Sequence, residues 1–347
     1  MAGQAICLLI KHSPPPKSDR TWSAFLSTLS AVSLFGQIVH KEPYAMDFPD
    51  EFRDDLLLNY SDSELTRRIL ASPKLTEHTR LRLLSDNLIS KHYDPECIDD
   101  EIKATETAHH LGIPVPSVKR IVTVGVDAYC IMERAAGKTL EEQWPSLSWW
   151  SSMTIAMKLR RYVQQLRSLT SSGAGSLVSG ECRSFWLEDR FGLPVRCSSE
   201  DITDFIRFWV GFKSIRKAML EVKNPSEQAE LSKAYIPART ALVFTHHDLA
   251  PRNILVDTEG QLCILDWELS GFYPVYFEYA GMMNFLFPEN WGWFTRLRWR
   301  LLAWLVAGRW ERQRHVLENV RSKFSRFSLG RRFAIMHNGA KSRRKAT

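Results

Sequence analysis

At 347 residues the chain is too long for one small core and long enough for two lobes. Hydrophobic residues make up 44%, charged residues 24%, and there are twelve tryptophans, which excludes disorder throughout. The net charge of +7 is uneven: residues 295–347 carry 15 Lys/Arg against 2 Asp/Glu, so the rest is mildly acidic and no nucleic-acid partner is expected.

Residues 1–50 read as an N-terminal extension. Pro14, Pro15 and Pro16 mark a flexible lead. The uncharged run Thr21 to Val39 holds four serines and Gln37, which suits a packed helix better than a membrane span. Six scattered cysteines form no C-x-x-C pair, and Cys130 and Cys263 sit in apolar runs. A reducing compartment and a cytoplasmic location are expected.

Residues 51–134 read as a small α/β lobe. Asp50 to Leu70 looks helical, with Phe52, Leu56, Leu57 and Tyr60 at helical spacing and a second short run after Asp62. Arg80 to Tyr93 predicts a strand pair, its second strand ending at Lys91. Asp99 to Leu111 predicts a helix stopped by Gly112, with Pro114 and Pro116 beyond it. Ser117 to Thr123 and Ala128 to Glu133 predict two strands joined at Gly125-Val126-Asp127. A linker follows near residues 134–138.

Residues 135–330 read as a larger, mostly helical lobe. Ile155, Leu159, Tyr162, Val163, Leu166 and Leu169 line one face of a helix that begins near Trp149. Ile202 to Val210 predicts another helix. Leu242 to Phe244, Ile254 to Val256 and Leu262 to Leu265 predict short strands, the last two joined by a turn at Asp257 to Gly260. The stretch Trp291 to Trp310 mixes Trp, Leu and Arg. It reads first as a lobe-closing helix with solvated arginines, and an anionic membrane surface is the alternative. Residues 331–347 form a basic tail.

The chemistry concentrates between Phe244 and Asp266. His246-His247-Asp248-Leu249-Ala250-Pro251-Arg252-Asn253 is followed by Ile264-Leu265-Asp266-Trp267-Glu268, so a second Asp stands eighteen residues after the first. Phosphoryl transfer needs one carboxylate facing the acceptor hydroxyl, and Asp248 fits. The nucleotide's phosphates need Mg2+, a hard cation suited to the amide oxygen of Asn253 and the carboxylate of Asp266. Asp and Asn singly are common turn formers, but this spacing, with Asp266 ending an apolar strand, is hard to obtain from turns. His246 reads as a buried residue bracing the loop.

Phe244 to Asn253, with Leu265 to Glu268, resembles the aminoglycoside phosphotransferase and choline kinase-like family. The run Trp267 to Ala280 is similar to fungal members. Glu101 to Pro116 resembles the family's small-lobe helix and turn, and Ile131-Met132-Glu133 with Gly137 its interlobe hinge. The resemblance spans about residues 80–285. It implies an α+β, two-lobed protein-kinase-like fold and ATP-dependent transfer to a hydroxyl of a small-molecule acceptor. It also implies that Lys91 neutralises the nucleotide's phosphates, that Glu101 pairs with Lys91 ahead of its rival Asp100, and that Met132 and Glu133 meet the adenine through backbone groups.

Departures from that pattern leave alternatives. No G-x-G-x-x-G precedes Lys91, so a phosphate loop either falls to Ser85, Asp86 and Asn87 or is weak. Ala250 stands where many kinase-like enzymes carry a polar residue. Both favour a pseudokinase-type binding module, which the intact Lys91, Asp248, Asn253 and Asp266 disfavour. A protein kinase is a further alternative, although no A-P-E segment follows Asp266. Glu188, Asp189, Glu200, Asp201, Asp204 and Glu278 are candidate contacts to a cationic acceptor, each read first as solvated or structural. Acceptor identity and oligomeric state are not legible.

Overall fold

The structure, a computed structural model, describes residues 51–75, 80–187, 193–211 and 240–327. The run Thr21 to Val39, the acidic pair Glu188 and Asp189 and the basic tail lie outside the described residues.

The expected helix over Asp50 to Leu70 divides in two. A 3-10 turn, Asp54–Leu56, precedes helix α1, Asp62–Ala71, because the Ser61 side chain accepts a hydrogen bond from the Glu64 N–H and so starts a new helix. Strand β1 is Leu81–Leu83 and β2 is Leu88–Tyr93. Lys91 therefore does not end its strand; pairing continues to Tyr93, and Asp94 then caps helix α2, Pro95–His110. The helix starts earlier than expected because Pro95 suits its first turn. At its far end Gly112 takes φ 75°, and the Ile113 N–H returns to the Ala108 carbonyl. Strands β3, Val118–Val124, and β4, Asp127–Glu133, form the expected hairpin. The four strands make one antiparallel sheet in the order β1-β2-β4-β3. Leu65 and Ile69 of α1 pack against Val122 and Ile131 of this sheet.

The turn Ser85-Asp86-Asn87 is not placed as a phosphate loop. It closes the end of the β1–β2 hairpin remote from Lys91, and the Asn87 carbonyl accepts from the Arg134 N–H at the interlobe connection. Residues 73–75 pair with 81–83, through Leu83 N–H to Pro73 O and Leu75 N–H to Leu81 O.

After residue 134 come β5, Lys138–Thr139, the short helix α3, Leu140–Gln143, and the long helix α4, Trp149–Arg167. Then follow β6, Thr170–Ser171, and α5, Ser199–Gly211. The segment from β7, Leu242–Thr245, to β8, Ile254–Val256, and β9, Leu262–Ile264, is short strands, as expected. Sequence reading missed β10, Gly271–Pro274, helix α6, Tyr276–Met282, and helix α8, Glu311–Phe327. It placed α7, Trp293–Ala307, correctly as a helix closing the lobe.

Helices α4 and α7 run side by side in the same direction. Trp149 meets Phe294 near one end, and Arg160 and Arg167 donate to the Leu305 and Ala307 carbonyls near the other. Between them Ile155, Leu159, Val163 and Leu166 join Trp299, Leu302 and Val306 in the largest core. Trp144 sits edge-on to Trp299, ring centroids 5.5 Å apart, and buries completely. Truncating such a residue costs about 3–5 kcal/mol. Among the described residues no helix is long and apolar enough to cross a membrane.

Candidate active site

A cleft of about 470 Å³ lies between the lobes. The small-lobe sheet supplies Lys91, Met132 and Glu133 to its wall, α2 supplies Glu101, and the β7–β9 region supplies Asn253 and Asp266. Six of the seven residues expected from sequence thus share one cavity. The seventh, Asp248, lies just behind it with its side chain 6% exposed, joined to Asn253 by an amide N–H at 2.9 Å.

Lys91 is the electrostatic centre. Its Nζ lies 2.6 Å from Asp266 Oδ1, 3.2 and 3.3 Å from the two Glu101 oxygens, and 3.9 Å from Glu268. Burial alone would lower the Lys91 pKa, but Asp266, Glu101 and Glu268 outweigh it and the pKa is raised. The converse holds for Asp266: burial would raise its pKa, yet the charge and hydrogen bond of Lys91 bring it down to about 2. Glu101 is raised, first by burial, with Lys91 opposing. Asp100, weighed as its rival, turns away. Its carboxylate accepts from Val178 N–H, Ser179 N–H and the Ser179 hydroxyl, and pairs with Arg183 at 3.1 Å, so α2 is tied to the large lobe.

The loop carrying Asp248 is braced from below. Glu278 of α6 is buried, and its carboxylate accepts the backbone N–H groups of His246 and His247. His246 Nδ1 lies 3.2 Å from the Asp248 N–H and accepts from it, which leaves Nε2–H to donate to the Leu265 carbonyl at 2.9 Å. Burial lowers the His246 pKa to about 4 and that of His247 to about 3, so both rings are neutral near pH 7. Gly281 lets α6 approach: a Cβ there would meet the His247 carbonyl oxygen at 2.3 Å. His247 and Asp266 hold φ of 72° and 65°, a conformation costly for residues with side chains and concentrated at functional sites.

Asp248 is buried beside Arg252, whose guanidinium nitrogen lies 2.9 and 2.7 Å from its two oxygens. Burial raises the Asp248 pKa and Arg252 opposes it, leaving it at about 7. The Asn253 amide nitrogen donates to both the backbone and the side chain of Asp248. Asn253 and Asp266 line the same cleft, one with an amide oxygen to offer and the other with a carboxylate. That pair of oxygen ligands suits a magnesium ion.

Three contributors escaped sequence reading. Arg80, just ahead of β1, reaches the Glu268 carboxylate. Glu268 and Arg252 stood inside the motif without a role. Only the pairing geometry reveals them, since Arg80 and Glu268 are 188 positions apart. Glu200, Asp201 and Asp204 are surface positions at the start of α5, where Asp201 accepts from the Ser198 N–H.

Fold and cleft together define a two-lobed, protein-kinase-like protein. The chain belongs to the phosphotransferase enzyme family, whose model matches residues 75–314. No curated protein matches it. Among solved structures it is similar to the aminoglycoside phosphotransferase APH(4)-Ia, at 16% identity over 78% of this chain and 92% of that one, TM-score 0.46. The aminoglycoside-3'-phosphotransferase of type VIII gives 15% identity over 73% and 91%, TM-score 0.44. APH(3'')-Id from Streptomyces rimosus, in complex with ADP and streptomycin, gives 15% over 68% and 86%, TM-score 0.39.

Proposed function

We propose that the protein transfers the γ-phosphate of ATP to a hydroxyl group of a small molecule. The observation that carries this reading is the convergence of Lys91, Glu101, Asn253 and Asp266 on one cleft, with Asp248 hydrogen-bonded to Asn253. Met132 and Glu133 edge the cleft where an adenine would lie, and backbone groups there would hold it. Lys91, positioned by Glu101, neutralises the nucleotide's phosphates. Asn253 and Asp266 would hold Mg2+, which supplies charge neutralisation on those phosphates when bound. Asp248 orients the acceptor hydroxyl and takes its proton. A pKa near 7 lets it do so at neutral pH.

Nucleotide binding without turnover is the competing reading. Lys91 already shared among three carboxylates favours it, because phosphates must then compete for the ammonium. Labelled ATP, Mg2+ and a metabolite extract separate the two. Wild type should label a small-molecule fraction, and Asp248→Asn should bind the nucleotide normally yet label nothing. Equal labelling by both proteins refutes the proposed role of Asp248. Nucleotide binding with no labelling by either supports the competing reading, and labelled peptides alone point to a protein kinase.

A further inference from the structure

Helices α4 and α7 carry a property that the cleft does not use. Between them they hold seven cationic residues, Lys158, Arg160, Arg161 and Arg167 in one and Arg296, Arg298 and Arg300 in the other, and no Asp or Glu. None of the seven has a carboxylate within salt-bridge distance among the described residues. Arg160, Arg167 and Arg298 turn inward to backbone carbonyls. Arg161 and Arg300 stay exposed.

The same two helices expose large apolar side chains. Trp150 is 80% exposed and Trp293 76%, with Phe294, Met157 and Trp149 about half exposed and Leu297 and Leu301 following along α7. Such residues are ordinary one at a time, but a contiguous patch of them marks an interaction surface. Contact between the Trp149 and Phe294 rings, centroids 6.5 Å apart, joins the two helices' patches. Since the helices run in parallel, Trp149 and Trp293 each stand at a helix start, and the aromatic cluster crowns two positive helix ends.

We propose that this face docks on an anionic lipid bilayer. Aromatic side chains settle at the level of the lipid headgroups, where an apolar ring and a polar edge are both accommodated. Exposed arginines beside them attract acidic headgroups, and no carboxylate on either helix opposes that attraction. The charge complementarity selects a lipid surface over a second copy of this chain, which would set one cationic face against another. Insertion is peripheral, with the rings entering the interface and the helices lying on it.

The test is co-sedimentation of the full chain with phosphatidylcholine vesicles, with or without about 30% phosphatidylserine. Binding is expected only with the acidic lipid and should weaken as salt is raised. The double variants Trp150→Ala/Trp293→Ala and Arg161→Glu/Arg300→Glu should each lose roughly tenfold or more in vesicle affinity. These side chains are exposed, so the variants should unfold at the wild-type temperature. No binding to either vesicle overturns the proposal, as do variants that bind like wild type. It is equally overturned if light scattering finds a wild-type dimer that Trp150→Ala/Trp293→Ala converts to monomer.

Discussion

Asp100→Ala isolates the connection between helix α2 and the large lobe. The substitution removes the acceptor for two backbone N–H groups and the Ser179 hydroxyl, and one partner of Arg183. An unmet buried donor costs about 1–3 kcal/mol. Val178 is half exposed, so water relieves part of that cost, and Arg183 keeps Glu181 at 3.1 Å. Three donors left unmet, each near the low end of that range, sum to a loss of about 3 kcal/mol. Asp100→Asn retains an acceptor oxygen and should lose roughly half as much. Urea unfolding at pH 7 measures both. The pH dependence has a definite sign. Burial would raise the Asp100 pKa, but Ser179, Val178 and Arg183 outweigh it and the pKa is lowered. The stabilisation is therefore complete above the unfolded-state value of about 3.9 and disappears as pH falls through the lower native value. The gap between wild type and Asp100→Ala should be full at pH 7 and narrow in strong acid. A gap under about 1 kcal/mol at pH 7, or one that persists unchanged into strong acid, would refute the reasoning.

Other measurements bear on the site directly. Turnover should rise with pH through about 7 as Asp248 ionises, and Arg252→Met should move that limb to higher pH, because the guanidinium holds the carboxyl down; an unmoved limb in a pH–rate profile contradicts the assignment. Arg80→Ala should raise the KM for ATP about tenfold, the value of one charge-assisted hydrogen bond, while adenosine binding stays constant. Lys91→Met should weaken Mg-ATP binding by a similar factor or more, measurable by calorimetry. Gly281→Ala should destabilise the fold by about 1–3 kcal/mol, because the new methyl group collides with the His247 carbonyl, and thermal unfolding would report it.

Much of the site was legible because its residues sit close together in sequence. The spacing of Asp248, Asn253 and Asp266 already implied a loop followed by two short strands, and the turn at Asp257 to Gly260 is where it was expected. Lys91 and Glu101 came from the family resemblance, which implies a lysine-bearing strand ahead of an acidic helix. What stayed hidden was pairing over distance. The resemblance ranked Glu101 ahead of Asp100 for the pairing with Lys91, but what Asp100 does instead was not legible, because its partners lie nearly eighty positions away. Strands as short as β6 and β10 leave no period to detect. The phosphate-loop expectation failed because strand register, which the sequence does not show, sets the polar turn Ser85-Asp86-Asn87 at the hairpin end away from Lys91. The arginines between Trp291 and Trp310 were read as simply solvated, whereas Arg298 is buried against carbonyls and Arg300 is exposed.

The charges around Lys91 also bear on the order in which ligands arrive. Glu101, Asp266 and Glu268 bring three negative charges to a space where Lys91 and Arg80 bring two positive ones. Within that cluster one formal negative charge is left over. A bare polyphosphate brought against it meets repulsion that one already carrying a divalent ion largely escapes. If the cleft binds ATP as proposed, discrimination between the free and the ion-complexed nucleotide begins beside Lys91, and an excess of uncomplexed nucleotide should be a poor competitor.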